Sequence, residues 1–227
     1  MVADTAAQTA LALIVPASNT VMAVDFNRMA GDALEVTTWR LPLASVTRAA
    51  EERMLSEELP KCLGEVAPTK PGLVVFGCTS AGSLGGLAHD ARVGEGIAQG
   101  TGAECVTVIG AMVEQLQPLA AQVALFTPYT SDLTRSVAAA LEEAGCHVVI
   151  ANGMGIEDNE VIGRMEPAEI VDFVVPLMEG SNADSVFLSC TNWRAAEAIE
   201  VLSHRLGLPV FSSNQVSFAA VERRLSS

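Results

Sequence analysis

Residues 74–80 read VVFGCTS and residues 186–192 read VFLSCTN. Each copy is an apolar, β-rich run, then Gly or Ser, then Cys-Thr and a small polar residue. Cys190 lies 112 positions after Cys78, and Pro128 lies 112 positions after Pro16. The prolines sit in LIVPASNT (13–20) and ALFTPYTS (124–131). Short strand-plus-turn patterns recur by chance in any α/β chain, so one shared offset carries little. Two, one of them with a cysteine, point to two similar lobes of about a hundred residues each.

The rest of the chain agrees with that reading. Strands are predicted at 11–15, 34–38, 72–76, 105–109, 122–126, 147–151, 185–189 and 208–212. These are short β-rich apolar runs of the kind that form buried parallel strands. Helices are predicted at about 19–32, 50–66, 86–101, 111–119, 130–145, 167–180 and 192–207. Gly31, Gly102, Gly145 and Gly207 end several of them, as helix C-caps commonly do. Strand–helix alternation implies an α/β fold with helices on both faces of parallel sheets. The expected architecture is two similar lobes, each a short parallel sheet flanked by helices. A pseudo-two-fold axis relates the lobes, and the site lies between them. The lobes are placed at 1–110 and 111–227, with the last helix free to pack back on the first lobe.

Bulk properties narrow the function. The chain has 227 residues, half of them hydrophobic, enough for one sizeable domain or two small lobes. Its net charge of −14 argues against a nucleic-acid partner or an anionic membrane surface. No apolar stretch reaches the roughly 18–20 residues that span a bilayer. The opening segment through PASN has no Lys or Arg, unlike a secretory signal. Its apolar run reads as the first buried strand. The five cysteines are an odd number in a chain too large to need disulfide staples, which implies reduced thiols and a cytoplasmic location. There is no CxxC pair, and the three histidines are scattered, so no metal site is expected. No glycine-rich phosphate-binding fingerprint stands between a strand and a helix, so no nucleotide cofactor is expected.

In open α/β sheets, ligands bind beyond the carboxyl ends of the strands. Four such ends are polar here: PASNT (16–20), GCTSAG (77–82), TPYTS (127–131) and SCTNW (189–193). A cysteine entering a helix N-terminus meets unpaired N–H groups and the helix dipole, which lower a thiol pKa. The same N–H groups, with Thr79, Ser80, Thr191 and Asn192, suit an anion such as a carboxylate. Each residue also has a plainer role open to it. A lone cysteine after a strand is usually a small core residue, the reading given to Cys62, Cys105 and Cys146. Thr79, Thr191 and Asn19 could cap helices. The repeated setting favours a functional role for Cys78 and Cys190, and a strand-end position favours one for Tyr129 and Asn19. The polar stretch GMGIEDNEVIGR (153–164) is long for a connection, and long loops often carry function. Trp193 and Met154 could line a pocket or fill the core. His89, His147 and His204 lie away from the strand ends, so a Cys–His pair is disfavoured.

Taken together, IVPASNT, GCTS, the PYT turn, GIEDNEVIGR, SCTNWR and LPVFSSNQ resemble the maleate cis-trans isomerase branch of the aspartate/glutamate racemase superfamily. That branch includes arylmalonate decarboxylase-like and ectoine-utilisation relatives. The resemblance runs from about residue 11 to residue 220. It implies a cofactor-independent enzyme with one cysteine on each side of the substrate. By resemblance, Cys78 is the nucleophile and Cys190 the partner acid/base. Asn19, Tyr129 and Asn159 bind substrate carboxylates, with Thr79 and Ser80 at one carboxylate and Thr191 and Asn192 at the other. The family commonly forms dimers or larger homo-oligomers. The chain departs from the maleate isomerases after PASNT, where VMAVDF replaces a more polar, Glu-containing stretch. Retention of both cysteines argues against arylmalonate decarboxylation, whose enzymes keep only the second.

The expected activity is therefore isomerisation of maleate, or a similar small unsaturated dicarboxylate, through a cysteine adduct. One alternative is a racemase that uses the two cysteines as an acid/base pair. The other is a protein that binds small carboxylates without chemistry. Paired strand-end cysteines are an oxidation hazard that binding alone does not need, which favours an enzyme.

Overall fold

A computed structural model describes residues 9–119 and 122–226. The leading residues 1–8, part of the segment read above as unlike a secretory signal, lie outside the described residues. The first lobe runs β1 (Thr9–Pro16), α1 (Met22–Ala30), β2 (Leu34–Leu41), α2 (Arg48–Arg53), α3 (Leu59–Val66), β3 (Leu73–Phe76), α4 (Thr79–Ser83), α5 (Gly86–Thr101), β4 (Glu104–Thr107) and α6 (Val108–Leu116). A π-helical turn, Met54–Glu58, joins α2 to α3. The second lobe runs β5 (Gln122–Thr127), α7 (Ser131–Glu143), β6 (His147–Gly153), α8 (Asn159–Arg164), α9 (Pro167–Leu177), β7 (Ser185–Leu188), α10 (Ile199–Leu206), β8 (Val210–Ser212) and α11 (Ser213–Leu225).

Each lobe is a four-stranded parallel sheet. The orders are β2-β1-β3-β4 and β6-β5-β7-β8, the same topology twice. The central strands β3 and β7 are buried along their whole length, so both faces must be apolar, and LVVF and SVFL supply that. The edge strand β6 alternates exposed and half-buried residues, as one covered face requires. The duplication extends to register. Leu11 pairs with Leu73 and Ile14 with Phe76, while Val123 pairs with Ser185 and Phe126 with Leu188. Every second-lobe partner lies 112 positions after its first-lobe counterpart. The symmetry breaks only away from this centre, first at an irregularity between Val123 and Ala124 where β5 meets β6.

In both sheets, the strand order reverses between the first and third strands. A crevice opens at such a point because the loops leaving the two strands diverge to opposite faces. Pro16 ends, and Cys78 closely follows, the two strands flanking the first crevice, and Pro128 and Cys190 closely follow those flanking the second. The repeated landmarks are thus the two switch points.

One core spans both sheets and includes Leu13, Phe26, Met112, Phe126, Leu188, Trp193 and Phe218. Helix α6 follows the last strand of one lobe and α11 that of the other. The two helices pack on each other, α6 also against α7 and α11 also against α1. Phe26 of α1 meets Phe218 of α11 edge to face at 5.4 Å between ring centroids. A smaller cluster around Ile14, Phe76, Met54 and Ile97 fills the outer face of the first sheet.

Some expected elements differ. The strand read at 105–109 ends at Thr107, because the Thr107 hydroxyl accepts the Gly110 N–H and caps α6. The helix read at 192–207 is a turn, a short 3-10 segment at Arg194–Glu197 and then α10. Helices α4, α8 and α11 were not among those expected. The first two are only five and six residues long, and α11 starts on a Ser212 cap hidden in a polar run. The four glycines read as caps all adopt positive φ. No helix among the described residues is long and apolar enough to cross a membrane.

Candidate active site

The loops leaving β1, β3, β5 and β7 meet in one cavity between the sheets. Its walls are Pro16, Asn19, Leu43, Val46, Glu51, Cys78, Thr79, Ser80, Tyr129, Asn159, Cys190, Thr191 and Asn192. All nine residues selected from the sequence are among them. Leu43, Val46 and Glu51 come from the β2–α2 connection and the start of α2, which the sequence reading missed. Among the described residues, no lysine, arginine or histidine lines the cavity. The volume open to the centre of a water molecule is about 10 Å³, room for about one water. The cavity is closed in this form. Leu43 and Val46 form part of its wall, and the Val46 N–H donates to the Glu157 carbonyl at 2.9 Å, tying that connection to the other lobe.

The two sulfurs enter from opposite lobes. Cys78 is the residue before α4, with Sγ 3.8 Å from Ser80 Oγ. The Ser80 hydroxyl donates to Glu51 Oε1. Burial pushes the Cys78 thiol well above its ordinary range, and Glu51 adds to the rise. The Ala81 N–H and Ser80 oppose it. Cys190 is pushed up to about 12, again first by burial. The Tyr129 hydroxyl and the Asn192 N–H, the latter at 3.3 Å, act in the opposite direction. The expectation that helix N-termini lower both thiol pKa values is therefore overturned for this closed form. Helix α4 has barely one turn of dipole, Cys190 leads into a turn, and desolvation outweighs both. What the backbone does supply is a set of donors already aimed at each sulfur.

The polar residues expected to grip carboxylates are largely engaged with one another across the lobes. Asn19 Oδ1 accepts the Val21 and Met22 N–H groups and holds the start of α1, while its Nδ2 donates to Thr191 Oγ1 at 3.0 Å. The Thr191 hydroxyl donates to the Gly77 carbonyl at 3.0 Å. Asn192 Oδ1 accepts the Thr20 N–H at 2.8 Å, and its Nδ2 donates to the Asn159 carbonyl at 2.6 Å. Asn159 Nδ2 donates to Ser18 Oγ at 2.7 Å. These side chains set the distance between the two crevices. Thr79 Oγ1 is buried and has no partner.

Asn192→Ala should therefore act on stability as well as on the site. It removes the acceptor of the part-buried Thr20 N–H and the donor to the buried Asn159 carbonyl and side-chain oxygens, at about 1–3 kcal/mol for the buried group and less for the part-buried one. The expected result in urea unfolding is a loss of about 2–4 kcal/mol, with an unchanged denaturant slope.

Glu51 hid in the charged run EERMLSEE, which reads as a solvated helix face. One signal was available: Met54, three residues later, shares its helix face and is buried. Trp193 and Met154 belong to the core. Trp193 is fully buried, with Nε1 donating to Met165 Sδ at 2.9 Å, and Met154 packs partly buried against the main cluster. Cys62, Cys105, Cys146 and the histidines do not line the cavity. Among the described residues, no group of three or more His, Cys, Asp or Glu side chains is placed to hold a metal ion.

Comparison with known proteins agrees with this fold. The arylmalonate decarboxylase family model matches residues 11–227. A maleate isomerase of Geobacillus stearothermophilus is 29% identical over 89% of this chain and 86% of its own. A liganded double mutant of arylmalonate decarboxylase superposes with a TM-score of 0.84 at 27% identity, covering 94% of this chain and 91% of that one. A cysteine-to-serine mutant of the Nocardia farcinica maleate cis-trans isomerase, with a covalently bound succinylcysteine intermediate, has the same fold. Its TM-score is 0.87 at 24% identity, covering 96% of this chain and 92% of that one. The chain belongs to the arylmalonate decarboxylase family, in the branch of the Asp/Glu racemase superfamily that includes the maleate isomerases, and is a maleate isomerase-like enzyme.

Proposed function

We propose that this protein interconverts maleate, or a similarly small unsaturated dicarboxylate, with its trans isomer through an adduct on Cys78, without a cofactor. The observation that carries this reading is the pair of sulfurs brought from symmetry-related loops into one closed, donor-lined cavity. The likeness to curated maleate isomerases over most of the chain, and the succinylcysteine held by the Nocardia farcinica relative, support it.

Substrate enters when the connection bearing Leu43 and Val46 lifts, because the closed cavity has no room for it. Water admitted at that stage relieves the burial that keeps Cys78 protonated and carries its proton to solvent, leaving the thiolate. Cys78 Sγ then bonds to one alkene carbon. The displaced π electrons pass to the neighbouring carbon and its carboxylate, and the Cys190 thiol supplies a proton there. The central bond is now single and rotates. Return of the proton to Cys190 and expulsion of the Cys78 thiolate give the trans product. The Ala81 N–H at Cys78, and Tyr129 at Cys190, stabilise the charged sulfurs at the two ends of this cycle.

Proton NMR of maleate incubated with the purified protein in deuterated buffer tests the reading. Fumarate formation without added cofactor is expected. If deuterium instead enters the α-position of an amino acid and no fumarate forms, the protein is a racemase. If neither occurs, it is a carboxylate-binding protein or acts on a different substrate.

A further inference from the structure

Two residues lining the cavity each carry a buried polar atom with no hydrogen-bond partner: Glu51 Oε2 and Thr79 Oγ1. Glu51 is fully buried on α2, and its other oxygen is taken by Ser80. A carboxyl held in the wall of a cavity with one unpaired oxygen is a group waiting for a partner. The charged and titratable groups around it do not supply one. Arg48, on the same helix, turns its guanidinium to the Leu84 carbonyl, Ser136 Oγ and Asp132. Glu52 lies beside Arg48 at 4.0 Å. From the β3 loop comes Cys78, and from the second lobe come Cys190 and Tyr129, all three pushed upward and protonated through the neutral range.

The proposed substrate is a dianion, and the cavity has no cation to receive it. An ionised Glu51 would repel it at close range in a dry site, where such repulsion is strongest. A protonated Glu51 reverses the interaction, because its Oε2–H becomes a charge-assisted donor. We propose that Glu51 works as a neutral carboxylic acid, donating from Oε2 to one carboxylate of the bound dicarboxylate, with the Thr79 hydroxyl as a second donor beside it. The proposal rests on the dicarboxylate reading above and adds a residue that recognises the substrate and a condition on its charge.

Burial supports this state by raising Glu51 to about 8, against the smaller opposing effects of Ser80 and Arg48. Only the protonated form accepts the dianion, so affinity is full below that value and falls about tenfold per pH unit above it. Bound substrate in turn raises the Glu51 pKa further.

The test is calorimetric titration of maleate into the Cys78→Ala protein, which cannot form the adduct, from about pH 7 to about pH 9.5. The expected dissociation constant rises about thirtyfold across that range. Adding Glu51→Gln keeps a donor but removes the titration, so the folded double variant should bind maleate with affinity that does not change with pH. Near-ultraviolet circular dichroism checks its fold, and Glu51→Asp serves in its place if the glutamine variant does not fold, retaining a pH-dependent loss. The proposal is overturned if Cys78→Ala binds maleate equally across the range. It is also overturned if the folded glutamine variant keeps the loss above pH 8, or fails to bind. No maleate binding by Cys78→Ala at any pH overturns the dicarboxylate reading itself, and this proposal with it.

Discussion

Cys78→Ala protein is expected to fold and to form no measurable fumarate from maleate, a fall of at least about a thousandfold in turnover. No neighbour can replace the lost nucleophile. Ser80 is bound to Glu51, and a serine hydroxyl without a histidine base attacks poorly. Cys190 stands on the far side of the cavity, among donors suited to a proton-transfer role. The fold should tolerate the change, since alanine fills most of the space of a thiol and Cys78 Sγ makes no hydrogen bond on which the lobes depend. The measurement is a fumarate assay beside a urea denaturation curve. Activity within tenfold of the parent protein, with the fold intact, would remove Cys78 from the centre of the mechanism.

The second large effect is structural and reaches the site from behind. Gly153 ends β6, where the chain runs tightly along the β5 end. The Met154, Gly155 and Ile156 N–H groups donate to the Thr127, Tyr129 and Pro128 carbonyls. A Cβ at Gly153 would collide with Thr134 Oγ1 and, nearly as closely, with the Tyr129 carbonyl oxygen. The carbonyl is backbone and cannot rotate away, so the Tyr129 loop itself must move. Overpacking of this kind costs about 1–3 kcal/mol where side chains can adjust, and more where they cannot. Gly153→Ala is expected to lose about 3 kcal/mol or more in denaturant unfolding, and to lose activity in the fraction that folds, because Tyr129 supports Cys190. A stable, fully active Gly153→Ala protein would mean that this close approach does not hold Tyr129 in place.

The legible and illegible parts of this molecule differ in range. VVFGCTS and VFLSCTN disclosed the duplication because both copies are local: a strand, a turn and a cysteine, with their equivalence written at one offset. The offset proved to be the register of the sheets as well, since equal spacing in sequence forces equal pairing when the connecting helices match. The connection between Leu41 and Arg48 was different. Nothing in PLASVT marks it as a cavity wall, because the cavity is completed, and the connection is tied down at Glu157, only by the other lobe. Glu51 was masked by its exposed neighbours Glu52 and Arg53. The direction of the thiol shifts was misread for the same reason: the helix ends were visible in the sequence, but the burial that outweighs them comes from residues far away in the chain. Asn192 and Asn159 were found as polar strand-end and loop residues, yet their mutual bonds across the lobes became visible only once the two halves were placed together.

The most direct test of the central claim is a peptide map of the Cys190→Ser protein quenched during reaction with maleate. The expected result is a peptide spanning Cys78 heavier by one dicarboxylic acid, with the modification on the sulfur and absent from Cys62, Cys105 and Cys146. Fumarate formed by the parent protein, with no adduct on Cys78 in the quenched variant, would contradict covalent catalysis by that cysteine.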